Sequence, residues 1–213
     1  MVIRDLEALA ERLPADPAAA RDLLLEVMPV LVARYGDLAA AVAAEWFEDA
    51  YELPASTAEM IDAAEVESVT RYAAGHLFRG DVGALLGVLA VSLDRLVKYQ
   101  ARKSLAESAW AHGMAFIRVP RGARTCSFCL GHAARGPIYR GSAEEAGRAF
   151  HGHCDCSVVP YREGDDTPRG FDLEELQALH AEAVRVAGSD DPAKVAGALR
   201  RLRPDLVTDA VTS

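Results

Sequence analysis

Outside residues 125–156 the chain has no cysteine, and inside that stretch it has four. It also has few aromatic side chains, 7% of residues, beside abundant alanine. That scarcity works against a β-sandwich and for helices packed through small side chains. Long apolar runs are missing too. The longest, 82–93, is interrupted by two glycines and closed by Asp94 and Arg95. It falls short of the roughly 20 residues a bilayer crossing needs, so no membrane partner is expected. The opening MVIRDLEALAERL carries acids where a signal sequence would carry a basic and then an apolar run. The expectation is a chain folded in a cytosol, where clustered cysteines serve more often as metal ligands than as disulfides. G-x-S-x-G, P-loop and H-E-x-x-H motifs are lacking, as is a paired-carboxylate pattern distinct from an acidic surface. The sequence thus nominates no catalytic residue. It shows no internal repeat.

One further absence is local. The formal charge is −9, yet 108–143 holds no Asp or Glu. It holds five arginines, Arg118, Arg121, Arg124, Arg135 and Arg140. The cysteine window therefore begins in a basic island within an acidic protein. Two readings follow, a solvated basic face or a surface for phosphates or an acidic partner.

What is present is largely helical pattern. Leu6, Leu9 and Leu13 share one side of a short first helix. Asp16-Pro17 reads as an N-cap with proline in the first turn, opening a long helix to Tyr51 with possible bends at Pro29 or Gly36. Ser56 and Glu59 form a capping-box signature for another helix, to about Phe78. Leu85, Leu89, Leu93, Leu96 and Val97 mark a helix reaching Ala111, with Gly113 as its stop. At Met114 the texture changes. A strand is predicted over 115–119, then a loop, a Gly136-Pro137 turn, one or two helical turns over 142–149, and a strand over 156–161. After Gly170 come a helix with Asp172 near its start, a short final helix to Leu202, and a frayed end, VTDAVTS. The expected fold is α+β and mostly helical. A helical domain at 1–112 precedes a small Cys/His module with short strands at 113–163 and a C-terminal helical extension at 164–213. A module of that size needs a staple.

The cysteines suggest which staple. Cys126-x-x-Cys129 lets two sulfurs reach one tetrahedral ion from a single turn. His151-Gly-His153-Cys154-Asp-Cys156 supplies the second hook. Thiolates with imidazole suit Zn²⁺. The leading expectation is one closed structural zinc on Cys126 and Cys129 plus two or more of His151, Cys154 and Cys156. Two disulfides or a redox role are the alternatives. On an extended chain His153 faces away from its neighbour Cys154, whereas His151 has the spacing to fold back, so His151 ranks first. Asp155, between the two cysteines, points to the opposite face from them. His132 follows the first hook and reads as an exposed loop residue before it reads as support for the metal. His76, His112 and His180 read as surface or helix-end residues.

The run RVPRGARTCSFCLGHAARGPIY, a spacer, and FHGHCDCSVVP resemble the Mu F-type minor head proteins of tailed bacteriophages, in the short form common in phages of actinobacteria. The shared features are Cys126 and Cys129, the turn Gly136 to Tyr139, then His151, Cys154, Cys156 and Pro160. They cover about a quarter of the chain. The resemblance implies a low-copy virion component of the head interior or portal vertex, assembled in the host cytoplasm. It implies a part in head assembly or in DNA packaging and ejection. Its partners would be the portal protein, the major capsid protein, or phage DNA met through the five arginines. It carries the H-x-x-C-x-C pattern onto His151. The alternative is a zinc-dependent capsid maturation protease or nuclease, which would need an open zinc position and a nearby base.

Overall fold

The computed structural model describes residues 2–56, 61–138 and 154–209. They form a mostly helical α+β protein in two compact units, one running to Ser104 and the other from Leu105 onward. Helix α1 spans Val2–Ala10 and α2 spans Pro17–Tyr51. Asp16 caps α2 by accepting from the Ala19 N–H at 2.8 Å. The helix continues through Pro29 and Gly36. Gly36 is required by packing, since a Cβ there would sit 3.1 Å from the Gln100 side chain.

Helix α3 covers Ala63–Ala74 and α4 covers Val82–Ala111. The start of α3 differs from expectation. Asp62 caps it through the Ala64 N–H at 2.9 Å, so the helix begins well past Ser56. Glu59 lies outside the described residues. The C-terminal end also differs. Gly75 ends α3 and a 3₁₀ turn, Leu77–Arg79, replaces the continuation to Phe78. The core of the first unit joins Leu6 of α1, Leu24, Met28 and Leu31 of α2, Val66 and Ala73 of α3, and Leu85, Leu89, Leu93 and Leu96 of α4. By length and composition α2 passes for a membrane span. Its buried row Leu24, Met28, Leu31, Val32 and Tyr35 instead packs into this core.

The second unit is built on a two-stranded sheet. Strand β1, Ala115–Val119, pairs antiparallel with β2, Ser157–Tyr161, with Arg118 opposite Val158 and Phe116 opposite Pro160. Proline is tolerated there because, among the described residues, the sheet has two strands and each keeps one edge without a neighbouring strand. Helix α5, Ser127–Ala133, lies between them in sequence. Helices α6, Leu173–Ala187, and α7, Pro192–Leu202, follow. Asp172 and Asp191 cap them. Leu130 of α5 packs with Leu179 and Ala183 of α6, with Val195 and Leu199 of α7, and with Val207. Ile117, Val119, Ala133 and Phe171 form a second cluster beneath the sheet. The expected helical turns over 142–149 lie outside the described residues.

Candidate metal centre

The first hook is made by α5. Cys126 is its N-cap, and the Cys126 Sγ accepts from the Cys129 N–H at 3.2 Å. Capping by a sulfur turns both thiols of a C-x-x-C toward one point. The second hook is the segment leading into β2, which delivers Cys154 and Cys156. Cys129, Cys154 and Cys156 are all buried, and their Sγ atoms lie within 4.8 Å of one another. The Cys129 and Cys154 sulfurs are 3.4 Å apart. Zinc–sulfur bonds of about 2.3 Å in a tetrahedron separate sulfurs by about 3.8 Å, so this spacing fits a metal ion with little adjustment. No disulfide joins any two of the four cysteines.

Electrostatics point the same way. Hydrogen bonds with Cys126, Cys154 and Cys156, and then burial, push the Cys129 thiol far above its ordinary range. At Cys156 the bond with Cys129 works downward, but Cys154 and burial carry the group up to about 12. Packed thiols in a dry site cannot ionise together without a cation. One cation is built in. Arg118 on β1 is 1% exposed, and its Nη2 lies 3.8 Å from the Cys154 Sγ. A guanidinium stays charged, and a buried charge needs an opposite partner. Three or four thiolates around a divalent ion would leave a net negative charge, which Arg118 beside Cys154 would offset. The donor set therefore fits a thiolate-loving ion. Three buried cysteines, Cys129, Cys154 and Cys156, can hold a metal, while Cys126 caps α5 next to Cys129 and stands outside that group. His151 and His153 lie outside the described residues.

Asp155 faces away from the sulfurs, as the alternation implied. Its Oδ2 accepts from the Gly122 N–H at 2.7 Å and the Arg121 N–H at 3.3 Å, and its Oδ1 takes the Thr125 hydroxyl. The carboxylate clamps the loop before the first hook. Gly122 is needed there, because a Cβ would meet Asp155 Oδ2 at 2.9 Å and the Arg124 carbonyl at 2.7 Å.

The chain end corrects another expectation. Residues 204–209 are strapped onto the first hook instead of fraying, and 210–213 of the expected frayed end lie outside the described residues. Thr125 N–H donates to the Leu206 carbonyl and Thr208 N–H to the Thr125 carbonyl, each at 2.9 Å, forming a parallel bridge with Val207. Asp209 accepts from the Ser127 N–H and the Ser127 hydroxyl, both at 2.8 Å, and pairs with Arg200. Ser127 is buried and opens α5. The strap thus holds the residues on both sides of Cys126.

The five arginines separate. Arg118 is corrected from a candidate DNA contact to a buried neighbour of the sulfurs, closed to any phosphate. Arg124 donates to the Val207 and Pro204 carbonyls of the strap. Arg121 is exposed, with its Nε on the Ser157 hydroxyl at 2.7 Å. Arg135 is exposed, and Arg140 lies outside the described residues. His132 is also corrected. It sits half-buried on α5, with its ring centroid 4.3 Å from that of Phe128, and lines a cavity of about 300 Å³ together with Arg135, His180, Val195 and Leu199. Burial first, then the nearby Arg118 and Arg135 charges, lower its pKa to about 4. Sequence patterns did not flag Asp209, whose partner Ser127 lies far away in the chain.

The family model described as VG15 protein matches residues 1–183, most of the chain and all four cysteines. This chain belongs to the VG15 protein family. That is a phage-associated virion protein family. The matched span stops before α7 and the strap. No curated protein and no solved structure matches the chain.

Proposed function

We propose that this protein is a minor head protein of a tailed phage, of the Mu F-like type. It acts at the portal vertex in head assembly or in DNA packaging and ejection. Its small module is stapled by a structural zinc held by Cys126, Cys129, Cys154 and Cys156, with His151 as the competing fourth donor. The observation that carries the reading is the three-thiol cluster beside buried Arg118 in a chain of phage virion lineage. Its burial, with Asp155 turned outward to hold a loop, suits a staple better than an open catalytic ion. In this reading the helical region, 1–112, docks on the portal or major capsid protein. The exposed Arg121 and Arg135 of the module, 113–163, lie near phage DNA, and the extension, 164–213, braces that module.

The test is to quantify the protein in purified virions by mass spectrometry and to disrupt its gene. The reading expects a few copies per virion, loss on removal of the portal vertex, and particles defective in DNA content or delivery. Normal infectious virions without the protein would overturn it.

A further inference from the structure

Helix α5 carries a glycine that packing does not require. Gly131 lies inside a helix of only seven residues, where glycine costs stability relative to alanine. A Cβ there would lie 3.9 Å from the His180 Cδ2, an ordinary contact. Its absence keeps open the space between α5 and α6, which belongs to the cavity of about 300 Å³ already described. That volume stands at the lower end of the range for small-molecule sites, about 300–1,000 Å³. The whole cavity lies within the second unit.

Its lining sorts into three kinds of group. Phe128, Val195 and Leu199 make an apolar wall. Arg135 brings a charge that does not titrate, and among the described residues it joins no ion pair. Exposed Asp190, on the loop between α6 and α7, offers a carboxylate. His132 and His180 add hydrogen bonding without net charge. Burial and then the Arg135 charge lower the His180 pKa, and burial chiefly lowers that of His132, so both rings are neutral at pH 7. An anionic group therefore belongs beside Arg135, a donor nitrogen beside Asp190, and an apolar body against the wall. A phosphate monoester would bring nearly two negative charges to one fixed cation and one acid. A carboxylate brings one.

We propose that this cavity binds an apolar α-amino carboxylate, as a free amino acid or as the C-terminal residue of a partner chain. The carboxylate takes Arg135, whose fork of donors matches it. The nitrogen donates to Asp190, and the apolar side chain lies on Phe128, Val195 and Leu199. The missing side chain at Gly131 leaves room for it. The two sources share this chemistry and differ at the nitrogen, an ammonium in one and an amide in the other. The proposal is independent of the metal centre and of the head-protein reading.

The test is an NMR titration of the full chain, following the ring signals of His132 and His180, with calorimetry for affinity. The probes are phenylalanine, N-acetyl-phenylalanine and N-acetyl-phenylalaninamide. Saturable shifts of both rings are expected with at least one of the two acids, and none with the amide, which lacks the carboxylate. Tighter binding of phenylalanine assigns a free amino acid, and tighter binding of N-acetyl-phenylalanine assigns a chain end. Arg135→Gln changes an exposed side chain and should weaken binding about tenfold or more. Gly131→Ala should melt higher than the parent yet bind less tightly, a combination that a purely structural glycine would not give. Absence of saturable shifts with both acids would overturn the proposal. So would an amide that binds as well as the acids, or variants that bind as tightly as the parent.

Discussion

Replacing Asp209 with alanine tests whether the strap supports the cysteine hook. Asp209 lies outside the cysteine motif, and it is the acceptor for both the N–H and the hydroxyl of buried Ser127. Removing the carboxylate strands a buried donor at the first turn of α5, which costs about 1–3 kcal/mol. Its ion pair with Arg200 is 34–38% exposed at the side chains and adds at most about 1 kcal/mol. Together these give about 2–3 kcal/mol. For a unit of this size that lowers the melting temperature by about 10 °C. Asp209→Asn keeps an acceptor for Ser127 and should lose about half as much. Calorimetry on both variants reads these values, and a competing chelator reads the metal affinity, which should fall with the same ranking. Asp209→Ala melting within about 0.5 kcal/mol of the parent, the ordinary range for a surface change, would refute the reasoning.

Arg118→Met should weaken metal binding by about 10–100-fold, the range for groups that support ligands. Arg118→Lys should recover part of it, as measured by chelator competition. Leu89→Ala empties a fully buried position in the first unit's core and should destabilise it by about 3–5 kcal/mol in denaturant titration while leaving metal content unchanged. His132 has a folded pKa of about 4, below its unfolded value of 6.5. The unfolded chain therefore binds the extra proton between those pH values. The stability from His132 is complete above about pH 6.5 and lost as pH falls toward 4, and His132→Gln should flatten that part of a stability–pH profile.

Local chemistry was legible in the sequence where one short rule governs it. β1 occupies the predicted residues 115–119, α4 ends at Ala111, and Asp16-Pro17 opens α2. β2 starts one residue later than expected, at Ser157, because the strand pairing stops at Val119 opposite Ser157 and leaves Cys156 outside it. The meeting of Cys129 with Cys154 and Cys156 fits the clustering of all four cysteines in one window, which is what pointed to a shared staple. Helix α5 was not legible. Its seven residues are too few to be stable by propensity, and Leu130 packing on α6 and α7 holds it. The role of Arg118 was hidden because every residue of β1 is buried, so no alternation separates its faces. The strap was hidden for a different reason. Thr125 is joined to Leu206 and Thr208 by main-chain bonds that ask little of side-chain pattern.

The most direct measurement is metal content by elemental mass spectrometry on protein purified without chelator, with thiols counted after unfolding in chelator. The account predicts one zinc per chain and four free thiols, with zinc lost from Cys129→Ser. Protein free of metal, or with its four cysteines joined as disulfides, would contradict it.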